Sequence, residues 1–255
     1  MTDDTKIGGP GGKFPATRWS AIQAARSQDP AERSRALDAI VAAYWKPIYK
    51  YLRLRWGKSN EDAKDLTQEF FTRLVEKDYL KSFDPRKARL RTFMRLCVDR
   101  FVANEAKAAK RLKRGGGAPH LPLDFAAAEK ELKRAKAPVS GDSPEDALDE
   151  YFQKEFVRNL FTQSIEKLRQ LCVERGKQLH FRIFEAYDLN DDERGRLAYA
   201  DLARKFGLTT DEVTNYLAYV RREFRDIALI KVRELTGSNN EFYQESRALF
   251  GVKPK

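Results

Sequence analysis

Apolar residues along the chain recur every three or four positions almost throughout. No segment sustains the alternate-residue pattern of a half-buried strand, so the periodicity predicts helices. Residues 62–74, DAKDLTQEFFTRL, show it most clearly. On a helical wheel Ala63, Leu66, Phe70 and Leu74 fall together, with Phe71 at the edge, and form a core face. Asp62, Asp65 and Glu69 fall about a quarter-turn round, on a face of their own.

The helical pattern comes in two blocks. The first covers 17–114 and stops at Gly115, Gly116 and Gly117, followed by APHLPLDF. A charged, Ala-rich stretch follows, readable as a linker or a loosely attached helix. The second block opens with Ser143 as an N-cap, Pro144 in the first turn and Asp146 placed to return the capping bond. Helices are predicted over 144–174, 178–189, 198–206 and 210–235, and Thr236-Gly237 is a stop signal. The tail NNEFYQESRALFG can form one more helix. The expected fold class is therefore all-α: two helical domains joined by a flexible linker. The expected boundaries are a disordered N-terminus at 1–16, domains at 17–114 and 143–236, a linker at 115–142 and a tail at 237–255.

Within the second block, residues 199–226 have the layout of a helix-turn-helix. Leu202, Ala203 and Phe206 form the inward stripe of a short helix, Gly207 permits the tight turn, and Leu208 plugs the core. Thr209 or Thr210 then caps a longer helix whose Val213, Leu217, Val220 and Phe224 share one face. The opposite face carries Asp211, Thr214, Asn215, Ala218, Arg221, Arg222 and Arg225. Small polar residues near the start and arginines further along suit a recognition helix that reads base edges first and holds phosphates after.

Composition narrows the chemistry. The 255 residues are 42% hydrophobic and 34% charged, with a net charge of +11. Cys97 and Cys172 lie at apolar-periodic positions and read as buried, reduced thiols. Two histidines, His120 and His180, are too few for a His-based metal cluster. There is no phosphate-binding Gly-rich loop, nucleophile elbow or HExxH, and no apolar run long enough to span a bilayer. No metal, cofactor or catalytic residue is expected, and the polar, Gly-rich start reads as cytoplasmic rather than as a signal peptide.

The positive charge is local. Residues 81–114 hold twelve Lys and Arg against three Asp and Glu, the footprint of a polyanion partner. After an Asp84-Pro85 turn, basic residues interleave with apolar ones at Arg89, Leu90, Arg91, Thr92, Phe93, Met94 and Arg95, an arrangement suited to unstacked bases on a single strand. Lys107, Lys110, Arg111, Lys113 and Arg114 form a phosphate-contacting stripe. Cys97 and Phe101 belong to the core, while Phe93 fits either role. The acidic face at 62–69 would be repelled by DNA and suits a basic protein surface.

This division of labour resembles bacterial RNA polymerase sigma factors of the compact, two-domain extracytoplasmic-function (ECF) type. The resemblance is carried in order by YWKPIYKYLR (44–53), EDAKDLTQEFFTRLVEKDYL (61–80), FDPRKARLRTFM (83–94), FVANEAKAAKRLKRGGG (101–117) and the helix-turn-helix. The LTQEFF run, the ANE segment and the triple glycine look like one subgroup with a longer inter-domain segment and a C-terminal tail. It implies a sigma region 2-like bundle and a region 4-like helix-turn-helix domain. Asp62, Asp65, Gln68 and Glu69 would meet the clamp helices of the polymerase largest subunit. Asp84, Lys87, Arg89, Arg91, Thr92, Phe93 and Arg95, with Lys107, Lys110 and Arg111, would engage the minus-ten element as it opens, with a base flipped from the non-template strand. Thr209, Thr210, Asp211, Thr214, Asn215, Ala218, Arg221, Arg222 and Arg225 would read the minus-thirty-five element, and the domain's other side would rest on the polymerase flap. Family members often carry Asn where Arg100 stands, Asp where Asn104 stands and Trp near Phe93.

The implied partners are core RNA polymerase and promoter DNA, duplex and single-stranded, with an anti-sigma factor left open and no membrane insertion. The alternative is a stand-alone helix-turn-helix transcriptional regulator, which leaves the acidic helix unexplained. A nuclease and a polymerase-binding regulator that does not initiate are further alternatives. The length of the inter-domain segment and of the tail raises the expectation that either packs across a DNA- or polymerase-binding face.

Overall fold

The computed structural model describes residues 21–109, 121–134, 144–190 and 197–251, leaving out the side chains of 106–109, 144 and 145. The expected disordered N-terminus at 1–16, the glycines 115–117, the Ser143 cap, the side chain of Lys107, and Lys110, Arg111, Lys113 and Arg114 lie outside the described residues. Among the described residues all regular structure is helical. The chain divides into two compact units, Met1–Val157 with Val232–Lys255, and Arg158–Lys231.

The first unit is built on α2 (Pro30–Arg55), which follows the short α1 (Ala21–Ala24). Asp29 caps α2 by accepting the N–H of Ala31 at 2.9 Å, and Pro30, with no N–H to satisfy, fits the first turn. Ile40, Tyr44, Ile48 and Leu52 recur every fourth residue and make a fully buried stripe. The next helix, α3 (Asn60–Glu76), starts at Ser59, whose hydroxyl accepts the Asp62 N–H at 3.1 Å. It buries Ala63, Phe70, Phe71 and Leu74 as expected, but Leu66 is only partly covered and Thr67 is buried instead. The Thr67 hydroxyl donates to the Ala63 carbonyl at 2.6 Å, so its burial leaves no polar group unpaired.

A 3₁₀ turn, Tyr79–Ser82, leads into α4 (Leu90–Ala109). Asp78, with a left-handed φ of 47°, begins that turn and is held by Arg33 and Lys81, both at 2.6 Å. Leu90, Met94, Val98, Phe101 and Val102 of α4 are buried, and Phe70 packs edge-on to Phe101. Cys97 is buried too, which pushes its thiol up to about 11.

Within the inter-domain segment, α5 (Phe125–Arg134) seats on α2. Phe125 meets the rings of Trp45 and Tyr49 at 5.5 and 5.2 Å. Glu129 accepts from the Tyr49 hydroxyl at 2.7 Å and from Arg53 at 3.0 Å. Glu131 bridges Lys46 at 2.9 Å and Lys50 at 2.8 Å. Lys50 is completely buried and also pairs at 2.5 Å with Glu155, in the first half of α6 (Pro144–Glu174). A buried ammonium is tolerated only because carboxylates surround it.

The second unit takes the rest of α6, then α7 (Gln178–Phe184), a π turn at Glu185–Leu189, α8 (Tyr199–Phe206) and most of α9 (Thr210–Glu234). Its core gathers Leu168, Cys172, Phe181, Ile183, Phe184, Leu202, Ala203, Val213, Leu217 and Val220. The stripe expected of a helix-turn-helix is therefore in place, with Phe206, Leu208 and Phe224 packed at its margin. Gly207 adopts a left-handed φ of 68° that closes α8 without a Cβ penalty. Of the two threonines that could cap α9, Thr209 does so. It accepts the Glu212 N–H at 3.2 Å, and the Glu212 carboxylate accepts the Thr209 N–H at 2.8 Å, a reciprocal capping box.

The last helix, α10 (Asn239–Phe250), lies in the tail and belongs to the first unit. Ser238 caps it by accepting the Glu241 N–H at 3.1 Å. Its buried stripe is Glu241, Phe242, Glu245 and Ser246, two carboxylates among four residues.

Candidate protein and nucleic-acid interfaces

The outer face of α3 follows from its core face. With Phe70, Phe71 and Leu74 turned inward, Asp62 and Asp65 are exposed and Gln68 and Glu69 are half-exposed. The acids differ in their attachments. Asp62 accepts the Ser59 hydroxyl at 2.8 Å, and Glu69 holds Arg73 at 2.6 Å. Arg73 reaches on to Glu105 and lies over the Phe101 ring, so Glu69 is tied into the helix-to-helix contact. Asp65 is exposed, next to the partly exposed Leu66.

The turn before α4 is organised by Asp84. Its carboxylate accepts the Arg86 backbone N–H at 3.0 Å and pairs with the Arg86 guanidinium, also at 3.0 Å. These bonds hold its carboxyl at about 2, well below the usual range. Arg86 and Lys87 are exposed beside it, and Thr92 is partly covered. Phe93 meets the Phe83 ring at 5.2 Å and is half-buried, so one side of it belongs to the packing. Arg95 is drawn inward to Asp99 at 3.0 Å and Asp149 at 2.5 Å. Arg89 and Arg91 both reach the Glu245 carboxylate of α10, at 3.1 and 2.9 Å.

On α9, Thr209, Thr210, Asp211, Thr214, Asn215, Ala218 and Arg222 are exposed. Arg225 is partly covered. Arg221 behaves differently: Asp188 of the π turn accepts from its Nε and from an Nη, both at 2.9 Å. That bidentate pair raises the guanidinium further and holds it over the Tyr187 ring. Beyond the capping turn, the open part of the face is thus Thr214, Asn215, Ala218 and Arg222.

Three cations converge beside that face. Tyr219 receives the Arg175 guanidinium on its hydroxyl at 2.9 Å, the Lys177 ammonium over its ring at 3.5 Å and Arg222 at 5.6 Å. His180 stacks on Tyr216 at 3.7 Å, and burial together with the Lys177 charge lowers its pKa. Arg175 and Lys177 lie outside the residues expected from the sequence, although the RGK run just past α6 is a signal for them. Glu241 and Glu245 lie outside the expected residues as well. Their signal is two acids on the apolar stripe of a helix, where carboxylates are ordinarily scarce.

Among the described residues no helix is long and apolar enough to cross a membrane. A family model described as ECF sigma factor matches residues 22–229. Comparison with curated proteins and with solved structures found no match.

Proposed function

Since the chain belongs to the ECF sigma factor family, which acts in transcription initiation with RNA polymerase and promoter DNA, we propose that it binds core polymerase and directs it to a promoter class. In this reading residues 17–114 are the region 2-like domain and 143–236 the region 4-like domain. The acidic face of α3, with Asp62 and Asp65 exposed, docks on the clamp helices of the largest subunit. Residues 84–95 engage the minus-ten element as it opens, and α9 reads the minus-thirty-five element in the major groove, with the flap on the domain's other side.

The single observation that carries the reading is the face of α9. It is a capped helix on a buried core, with Thr214, Asn215 and Ala218 exposed ahead of Arg222. Short side chains let the helix approach base edges, and the following cation fixes register on the backbone. The acidic face of α3 supplies what a duplex reader alone does not use, a surface for a basic protein partner. The role has no covalent step of its own. Its energy comes from phosphate contacts, which weaken with salt, and from holding unstacked bases.

Size-exclusion chromatography with core RNA polymerase tests it. The protein co-elutes with the core enzyme, and Asp65→Lys weakens that association. If neither protein co-elutes at low salt, polymerase binding is refuted and operator binding by the free chain becomes the leading account.

A further inference from the structure

The carboxylates of α10 sit where an anion is wanted. Leu90 opens α4, and its N–H has no partner within the helix. Glu241 Oε1 accepts that N–H at 3.0 Å, while Oε2 accepts the Gly237 N–H at 2.8 Å. One turn on, the Glu245 carboxylate forms ion pairs with Arg89 at 3.1 Å and Arg91 at 2.9 Å. Two anions from the tail are therefore held by one helix N-terminus and two guanidinium groups, donors that equally suit a phosphodiester. The chain also comes very close here. A Cβ at Gly237 would stand 3.0 Å from Pro85 Cβ and 3.1 Å from the Phe83 ring, so glycine lets the tail turn directly over the 83–85 segment.

We propose that Arg89, Arg91 and the Leu90 N–H form a binding site for a nucleic-acid phosphate, and that α10 occupies it with Glu241 and Glu245, so that the tail and the DNA compete. The proposal rests on the reading that residues 84–95 face DNA. The occupant is suited to exchange. Glu241 and Glu245 are like charges one turn apart, which repel. Burial raises the Glu241 carboxyl above its usual value, with Glu245 adding to the rise and the Gly237 and Leu90 amides opposing it. Phe242 is the buried apolar side chain of α10 and packs under Arg233. Arg89 keeps 42% of its side chain exposed and Lys87 and Arg86 stand outside it, which leaves an approach for a strand.

The test is fluorescence anisotropy of a labelled oligothymidylate with the full chain at low salt. The paired substitution Glu241→Gln with Glu245→Gln is compared with Phe242→Ala, which loosens α10 but keeps both acids. Each raises affinity by roughly tenfold and steepens the salt dependence by about one released counterion or more. Tyr243→Ala, at an exposed position, leaves affinity unchanged. Adding Arg89→Ala and Arg91→Ala to the glutamine pair removes the gain. The proposal is overturned if both opening variants bind like the parent, or if the gain survives loss of both arginines. Polymerase co-elution keeps the two readings apart. A gain in DNA affinity without co-elution supports the tail-gated site and sinks the sigma role; co-elution with unchanged DNA affinity sinks the tail-gated site alone.

Discussion

On α9, Thr214, Asn215, Ala218 and Arg222 face outward from a core completed by Val213, Leu217 and Val220, while Arg221 is withdrawn to Asp188 and Arg225 is partly covered. At the start of α4 the pattern is reversed. Arg89, Arg91 and Arg95 are all paired with carboxylates, two of them with Glu245 of the tail. Both regions are basic and both are expected to meet DNA. On the first, Arg222 stays exposed; on the second, Arg89, Arg91 and Arg95 are covered by acids while Arg86 and Lys87 ahead of them stay exposed. Net charge and local charge density are therefore poor guides to which surface a ligand meets first, because an arginine already satisfied by a carboxylate must be released before it can hold a phosphate.

The comparison breaks most sharply when the support under the open face is removed. Leu217 is fully buried beneath it, and Leu217→Ala should cost about 2–5 kcal/mol through lost transfer energy and the cavity left behind. Hydrogen-exchange mass spectrometry checks this, with faster exchange over 197–231 and unchanged exchange over 239–250. On the covered side, Ser238→Ala removes the cap of α10 and should cost about 1 kcal/mol. Faster exchange in 239–250, with α9 unaffected, is the expected result.

Two smaller effects sharpen the contrast. Asp188→Asn releases Arg221 from its bidentate pair and makes the open face more basic. The salt slope of duplex binding should rise by about one, with little change in thermal stability, since partly exposed pairs contribute about 1 kcal/mol or less. The acid-on-base contact of α5 should respond to pH. Hydrogen bonds from Arg53 and Tyr49 hold Glu129 below its usual value of 4.5. Its contribution is therefore complete above that value and is lost as pH falls through the lower, folded-state value. Because Phe125 packs edge-on to Trp45, tryptophan fluorescence should report release of α5 as pH falls below about 4.5. An emission spectrum constant between neutral pH and acid would show that α5 is held by its apolar contact alone.

What could be read in advance follows from range. The core of the helix-turn-helix, from Leu202 to Val220, was legible because helical spacing decides burial within a few turns. The turn at Gly207 and a cap at Thr209 or Thr210 were legible for the same local reason. Misreadings were small and also local: Thr67 takes a buried place assigned to Leu66 because its hydroxyl can bond back to Ala63. The pairings that decide which cations are open were not legible. Glu241 lies 151 residues from Leu90, and Asp188 lies 33 from Arg221. No periodicity links such positions; only the folded chain brings them together. The same holds for α5, whose charged, Ala-rich composition fits a linker equally well until Glu129 and Glu131 meet Arg53, Lys46 and Lys50.

The most direct test of the central claim is transcription itself. Cognate core RNA polymerase would be incubated with fragments of the source genome, with and without this protein, and the 5′ ends of the transcripts sequenced. The account predicts discrete start sites that depend on the protein, share paired minus-ten and minus-thirty-five sequence elements, and disappear with Asp65→Lys. Start sites no different from those of core enzyme alone would contradict it.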